Sequence, residues 1–541
     1  MAGREEAGSG ELGAGARESA ASWANREIGV PGELRGHRDW RSPPRAQNHR
    51  LLLIFTRPRL RYITAMNTPP LRVGLFGIGL DTYWPQFAGL KERLEGYVAR
   101  VAEKMERPGV EVVNLGLVDN PDRAQAAGRA LRQADVDLIF LHVTTYALSS
   151  TVLPVVRRAR VPVIVLNLAP APAIDYAAFN ALGDRTRMTG DWLAFCSACP
   201  VPEISNVLQR AGIAFHQVTG VIDNDPACWA EIDAWIEAAR VAAGMANNRL
   251  GLMGHYYAGM LDIYSDVTLQ CAAFGTHVEL LEVDELAARR REVGAGDIEA
   301  RVREFHQVFD VQPDCPAEDL ADAARTAVAL DRLVAEYRLG SMAYYYKGTG
   351  VAENEAAVAS IILGTSQLTG RGIPVAGEYE VKNVQAMKIM DLFGAGGSFT
   401  EYYAMDFTDD VVLMGHDGPG HIAIAQGRTK VRPLKVYHGK VGRGVSVEMA
   451  VKHGPVTLLS VIERPGGKLA LLHAHAESVP GPILEIGNTN SRYRFACGAR
   501  EFVRRWNAAG PAHHCAVGVG HIGDKIARLG QLLGLEVIQA V

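Results

Sequence analysis

The chain has 541 residues, 48% hydrophobic and 21% charged, with a formal net charge of -4. That length exceeds what one core serves and suits roughly two to four domains of a soluble globular protein. The near-balanced charge gives no electrostatic reason to expect nucleic acid or an acidic membrane surface, and no run approaches the roughly 20 apolar residues of a membrane span.

The first 65 residues hold eleven Arg, seven acidic residues and no Lys, among Gly, Pro, Ser and Ala without apolar periodicity. They are expected to be disordered. Met66 shortly precedes a clean buried strand, so residues 1–65 read either as a flexible tail or as an upstream extension that is not translated, the second being preferred. "LLLIF" at 51–55 is too short for a secretory core.

From Met66 the pattern alternates. "LRVGLFG", "VEVVNLG", "VDLIFLHV" and "VPVIVLNL" read as strands, separated by the helices "FAGLKERLEGYVARVAEKM", "PDRAQAAGRALRQA" and "LPVVRRAR". Such alternation predicts a doubly wound parallel sheet over 66–245. Its first turn, "GIGLDTYW" at 77–84, lacks the third glycine of a dinucleotide fingerprint. Ligands nevertheless sit at the carboxyl ends of such strands, which makes Asp81, Thr82 and Tyr83 candidates for contact.

A second α/β series follows over 246–395: "NRLGLMGHY", "GTHVELLEV", a long charged helical region to about 338, "GSMAYYYKG", the helix "NEAAVASIILGTSQLTG" and "IPVAGE". Over 396–541 the texture changes to short strands at close spacing, "VVLMG", "IAIAQG", "LKVYHG", "VSVEMAV", "VTLLSVIE" and "KLALLHAHAE", with a few helices near the end. The expected fold class is therefore α/β, two doubly wound domains followed by an antiparallel barrel-like module. "GVGHIG" at 518–523 matches a dinucleotide pattern, but the chain ends before a complete βαβ unit can form.

Seven cysteines, an odd number spread from Cys196 to Cys515, make no disulfide framework, so a reducing cytoplasm is the expected compartment. In "CSAC" the pair Cys196 and Cys199 has half-site spacing, yet no second CxxC or CxxH completes a zinc site. Both read as buried structural thiols.

The residues that could carry chemistry lie late in the chain. Glu378 follows "IPVAG" at a parallel strand's carboxyl end, where loops overhang the sheet; a first-turn glutamate favoured by the helix dipole is the plainer reading. Glu401 stands in the glycine- and aromatic-rich "GAGGSFTEYYAMDF", where a buried carboxylate needs a cation, unless it is simply an exposed strand residue. "DVVLMGHDGPGH" ends an apolar strand in His416, Asp417 and His421, and "GPAHHCAVG" supplies His513 and His514. A lone histidine is usually a core or surface residue. Two carboxylates with two imidazoles and no thiolate suit Mn²⁺ or a similar octahedral ion.

With "GEYEVKNVQAMKIMDLFGAGGSFTEYYAMDF", "DDVVLMGHDGPGH", "VKHGPVTLLSV" and "WNAAGPAHHCAVG" in matching order and spacing, the chain from about 72 to 541 resembles the L-arabinose and L-fucose isomerase superfamily, closer to the arabinose branch. The resemblance implies one Mn²⁺-type ion, or Co²⁺ or Mg²⁺, held by Glu378, Glu401, His416 and His514, with His513 as the alternative histidine. It implies aldose–ketose isomerisation of a small sugar, an open-chain pentose or deoxyhexose, through a cis-enediol, with Glu378 and Glu401 as ligands and acid/base candidates. It also implies a homo-oligomer, hexamer or tetramer, in which Asp81 and Tyr83 of one protomer reach a neighbour's site. Departures from the branch pattern place Tyr379 and Glu380 beside the first glutamate and Asp417 to His421 after the first histidine, all touching substrate recognition. A sugar-binding protein without catalysis and a nicotinamide-dependent oxidoreductase are the alternatives.

Overall fold

A computed structural model describes residues 70–541 except 438, 439 and 442. The expectations for residues 1–65 and for a start at Met66 lie outside the described residues.

The first sheet is wholly parallel and comprises Leu71–Ile78 (β1), Val110–Val118 (β2), Leu138–His142 (β3), Val163–Ala169 (β4) and Phe215–Val221 (β5), in the order β2-β1-β3-β4-β5. Helices Leu90–Met105 and Pro226–Ala246 share one core with it, and Pro121–Gln133, Ser149–Ala159 and Val201–Arg210 another, so both faces are covered. That is why β1, β3 and β4 read as almost unbroken apolar runs. The fifth strand escapes sequence reading for the converse reason: β5 is an edge strand, FHQVTGV, with only Val218 buried.

The second sheet contains Arg249–Gly254 (β6), His277–Leu281 (β7), Ser341–Tyr345 (β9) and Val375–Ala376 (β10), parallel in the order β10-β9-β6-β7. The two-residue strand Asp310–Val311 (β8) leaves this sheet and pairs elsewhere. The expected single helix over 354–370 is two, Ala352–Ala359 and Ile362–Gly370. At the junction the Ser360 hydroxyl bonds back to the Ala356 carbonyl at 2.6 Å and receives the buried Arg290 guanidinium at 2.6 Å, which competes with the helical ladder.

The C-terminal part is a closed antiparallel barrel of six strands, Ser398–Asp406 (β11), Val411–His416 (β12), Gly454–Arg464 (β17), Lys468–Ser478 (β18), Thr489–Arg494 (β19) and His514–Val519 (β20). Their order is β17-β20-β11-β12-β19-β18, with β18 returning to β17 to close the ring. Glu536–Gln539 (β21) adds in parallel to β18. Not every expected strand joins the barrel. "IAIAQG" forms a short 3-10 turn at Ile422–Ile424, and Lys430–Pro433 (β13) and Val445–Glu448 (β16) build a separate small sheet with β8. Val436–Tyr437 (β14) and Lys440–Val441 (β15) pair antiparallel with each other. Among the described residues no helix is long and apolar enough to cross a membrane.

Between the second sheet and the barrel lies the helix Val381–Leu392, with every residue from Val381 to Met390 buried. Its apolar side chains share one core with Leu250 and Ala343 of the sheet and with Leu459, Leu471 and Ala516 of the barrel. Its two buried lysines are paired: Lys388 Nζ donates to the Gly372 carbonyl at 2.9 Å and faces Asp391, and Lys382 Nζ donates to the Asp262 carbonyl.

All seven cysteines are free. The expectation of two buried thiols in "CSAC" holds for Cys196 only; Cys199 is exposed where the chain turns into the helix Val201–Arg210.

Gly415 of β12 faces Thr489 of β19 so closely that a Cβ there would lie 1.7 Å from the Thr489 carbonyl oxygen. Gly415→Ala must push these two strands apart, and we expect it to lower the denaturant unfolding free energy by several kcal/mol, on the order of 3. A midpoint equal to that of the parent would show that the strands can separate at no cost.

His473 of β18 is buried, and burial, then His475, holds it down to about 4. The unfolded chain binds that proton with an ordinary pKa, about 6.5, so stability is complete above that pH and falls as pH drops from about 6.5 toward 4. The loss is on the order of 3 kcal/mol. Urea unfolding between pH 7.5 and 5 should give a steep dependence in the parent and a shallower one in His473→Gln.

Candidate metal centre

The barrel strands set three of the site residues by register alone. Glu401 of β11 lies opposite Gly415 of β12 on one side and opposite His514 of β20 on the other. His416 is the last residue of β12, next to Gly415. Two residues before Glu401, on the same face of the pleat, the ring of Phe399 packs beneath both imidazoles, 4.2 Å from His416 and 4.5 Å from His514 between centroids.

The fourth residue arrives from the second sheet. Glu378 and Tyr379 take positive φ values, 55° and 61°, between Gly377 and the helix Val381–Leu392. A left-handed backbone at two successive residues that are not glycine costs about 1–3 kcal/mol each. It is held by Tyr379 N–H donating to the Tyr344 carbonyl at 3.0 Å and Glu380 N–H donating to the Gly377 carbonyl at 3.0 Å. Glu378 thus precedes the N-cap residue Glu380 by two positions rather than lying in the first helical turn, and the helix-dipole account does not place it.

The four side chains converge. His416 Nε2 and His514 Nε2 are 3.2 Å apart, His514 Nε2 is 3.4 Å from Glu378 Oε2, and His416 Nε2 is 4.0 Å from Glu378 Oε1. Glu401, His416 and His514 each offer a ligand atom within 4.8 Å of the others, as do Glu378, His513 and His514. Atoms bound about 2.1 Å from one centre lie about 3 Å apart when adjacent and about 4.2 Å when opposite, so these separations suit one octahedral cation.

The hydrogen bonds on the far ring nitrogens reinforce this. His416 Nδ1 is 2.5 Å from the Asp417 carbonyl, which can only accept, so Nδ1 carries the proton and Nε2 presents a lone pair. His514 Nδ1 is 3.4 Å from Glu380 Oε2. Burial, then the neighbouring His513, holds the His514 pKa well below its ordinary value, so this imidazole is neutral. Burial drives the fully buried Glu380 up to about 8, with the Lys382 ammonium the strongest opposing influence.

His513 is clamped. Asp262 Oδ2 accepts its backbone N–H at 2.9 Å and its Nδ1–H at 2.6 Å, leaving Nε2 facing Glu378 and Glu401 at 3.9 Å each. Of the other expected substrate contacts, Asp417 lines the cleft above the cluster, whose walls also include Tyr257, Tyr345, Tyr346 and Val358. Tyr379 is buried against Tyr256, ring to ring at 4.8 Å. His421 is buried behind β11, its ring against Gly396. Asp81 and Tyr83 form a 3-10 turn at the carboxyl end of β1, and among the described residues no hydrogen bond or ion pair joins them to the cluster.

Sequence reasoning missed Asp262, Phe399 and the tyrosine wall. The run of three tyrosines at 344–346, ending a strand, was a usable signal. Asp262 offered none, since it lies 251 residues from its partner.

Fold and site together define an α/β protein whose six-stranded barrel carries, at one end, a carboxylate and imidazole cluster suited to a divalent cation. Residues 396–536 match the family model of the L-arabinose isomerase C-terminal domain. The L-arabinose isomerase of Herpetosiphon aurantiacus is 25% identical over 325 residues, and that of Shewanella sp. strain ANA-3 is 24% identical over 327; each match covers 57% of this chain and 63% of the relative. The chain is thus similar to members of the arabinose and fucose isomerase superfamily, and its matches span less than two thirds of those relatives' length.

Asp262→Ala removes the acceptor of both His513 hydrogen bonds. Calorimetric titration with Mn²⁺ should show an affinity at least about tenfold weaker than the parent's, the scale of supporting-residue losses at metal sites. Equal affinities would mean the clamp does not serve the cluster.

Proposed function

We propose that the protein is a metal-dependent aldose–ketose isomerase acting on an open-chain pentose or deoxyhexose of the L-arabinose or L-fucose kind. The observation that carries this reading is a pair of overlapping carboxylate and imidazole groups, Glu401, His416 and His514 with Glu378, His513 and His514, contributed by two different sheets and sharing His514 beside an aromatic-walled cleft. Glu378, Glu401, His416 and His514 would hold the ion, Mn²⁺ or else Co²⁺ or Mg²⁺.

When bound, the ion would supply Lewis-acid polarisation of the two reacting sugar oxygens. The chain's own groups do the rest. A carboxylate, Glu378 or Glu401, takes the proton from C2 of the aldose and returns it to C1; the O2 proton passes to O1, so the cis-enediol collapses to the ketose with no net gain or loss of protons. His513, fixed by Asp262, and Asp417 border the same space and orient the sugar. Tyr257, Tyr345 and Tyr346 cover its apolar face and keep bulk water away. In the same reading the protein is a cytoplasmic homo-oligomer, hexamer or tetramer, and Asp81 and Tyr83 of an adjacent protomer complete the cleft.

The test is ketose formation by chelator-stripped protein with and without Mn²⁺, on L-arabinose, D-galactose, L-fucose and D-arabinose. Expected are turnover that requires the ion and a loss of about 10³-fold or more in Glu401→Gln, consistent with removal of a proton-transferring ligand. Tight Mn²⁺ binding without ketose from any sugar would favour a sugar-binding role instead.

A further inference from the structure

We propose that Cys196 and Cys199 form a reversible dithiol–disulfide pair at the carboxyl end of the first sheet, oxidised by a small-molecule disulfide of the glutathione type. The inference stands apart from the metal centre and from the isomerase reading.

The pair belongs to a stretch of chain that is folded tightly on both sides. The helix Arg185–Leu193 stops at Leu193, whose carbonyl accepts the Cys196 N–H at 3.2 Å, and the Phe195 carbonyl accepts the Ser197 N–H at 2.8 Å. The chain bends at Ser197 and Ala198, and the Ala198 carbonyl then accepts the Val201 N–H at 3.2 Å as the helix Val201–Arg210 begins. Two cysteines three positions apart on either side of such a bend stand where a disulfide can close with little backbone movement. The contacts between them agree: the Cys196 sulfur accepts the Cys199 N–H, and its S–H donates to the Cys199 sulfur.

The two thiols differ in access. Cys196 is buried and Cys199 is exposed, although a thiol that serves packing alone belongs inside. An exposed thiol backed by a buried one divides the work of exchange, the first meeting the reagent and the second resolving the adduct. Among the described residues no third histidine, cysteine or carboxylate joins them in a metal-holding group, so the zinc half-site reading of their spacing has no support there.

Their place in the fold gives the pair a bearing on ligands. The Cys196 sulfur also accepts the Tyr146 N–H from the segment after β3, and both thiols lie close enough to the Tyr83 phenol, just after β1, to influence it. In the order β2-β1-β3-β4-β5 the chain leaves β1 and β3 in opposite directions, and open α/β sheets take ligands at that crevice.

The exchange balances in two steps. The Cys199 thiolate attacks one sulfur of glutathione disulfide; the reagent's S–S bond breaks, a Cys199–glutathione mixed disulfide forms, and one glutathione thiolate leaves with the proton that Cys199 gave up. The Cys196 sulfur then attacks Cys199; the mixed disulfide breaks, the Cys196–Cys199 bond forms, and the second glutathione leaves with the Cys196 proton. Two protein thiols lose two electrons and two protons, and one glutathione disulfide becomes two glutathione thiols.

The experiment incubates the reduced full chain with glutathione disulfide at neutral pH, quenches it with acid, and maps the cysteines by alkylation, digestion and mass spectrometry. The parent should give a peptide carrying the Cys196–Cys199 bond, two hydrogens lighter than its reduced form, and release two glutathione thiols for each bond formed. Alkylation of Cys199 by iodoacetamide should be lost with the bond and regained with dithiothreitol. Cys196→Ser, which lacks the resolving thiol, should stop at the Cys199–glutathione adduct. Cys199→Ser, changed at an exposed position, should keep the parent's denaturant midpoint and show no glutathione on Cys196. A parent that holds glutathione on Cys199 without the bond, that shows no change at either thiol, or that forms the bond only when denatured would overturn the pair. Glutathione on Cys196 in folded Cys199→Ser would overturn the assignment of Cys199 as the thiol that meets the reagent.

Discussion

The constraint on which the rest of this structure depends is the helix Val381–Leu392, which has no solvent face along its first ten residues. An ordinary surface helix shows one apolar stripe; this one presents Val384, Met387 and Met390 to a core shared by the second sheet and the barrel, and must still satisfy Lys382, Asn383, Gln385 and Lys388 in the same interior. Each polar group therefore acts as a key. Lys388 fits only where the Gly372 carbonyl waits, and Asn383 only where the Cys515 carbonyl does, at 3.4 Å. A rotation of the helix by one residue would strand charges in the core, so the sheet and the barrel are held in one relation.

That relation makes the centre. Glu378 is attached to the helix and the sheet; Glu401, His416 and His514 are attached to the barrel. Ligand atoms 3.4–4.0 Å apart on separate supports require the supports not to drift. The chain accepts local penalties to reach this geometry: a strained pair at Glu378 and Tyr379, and a strand contact at Gly415 that admits no Cβ. Such penalties persist where the surroundings over-determine them.

How much of this can be read from sequence follows from how local each cause is. The parallel strands are legible because burial on both faces makes them apolar throughout, and β5 is not, because its polar residues face solvent at an edge. Glu401, His416 and the His513–His514 pair are legible because strand ends and glycine turns announce themselves within a few residues. The rest is written at long range. The hold of Asp262 on His513 spans 251 residues, the left-handed backbone at Glu378 and Tyr379 runs against the preference of both residue types, and the bulge at Tyr403 exists only in the pairing of β11 with β12. The separation of β13 and β16 from the barrel is equally invisible, since their composition differs little from that of true barrel strands.

The small strand β8 bears on how this fold can be divided. Asp310–Val311 leaves the region of the second sheet and pairs in parallel with Lys430 and Val431 of β13, so the little sheet beside the barrel is sewn from two distant stretches of chain. A fragment cut near residue 396 would carry the barrel away from both this strand and the buried helix, exposing an unpaired edge and a broad apolar surface together. In recombination terms the segment is a recognisable unit of descent but not a portable module; it could be inherited or exchanged only along with the α/β region that seals it.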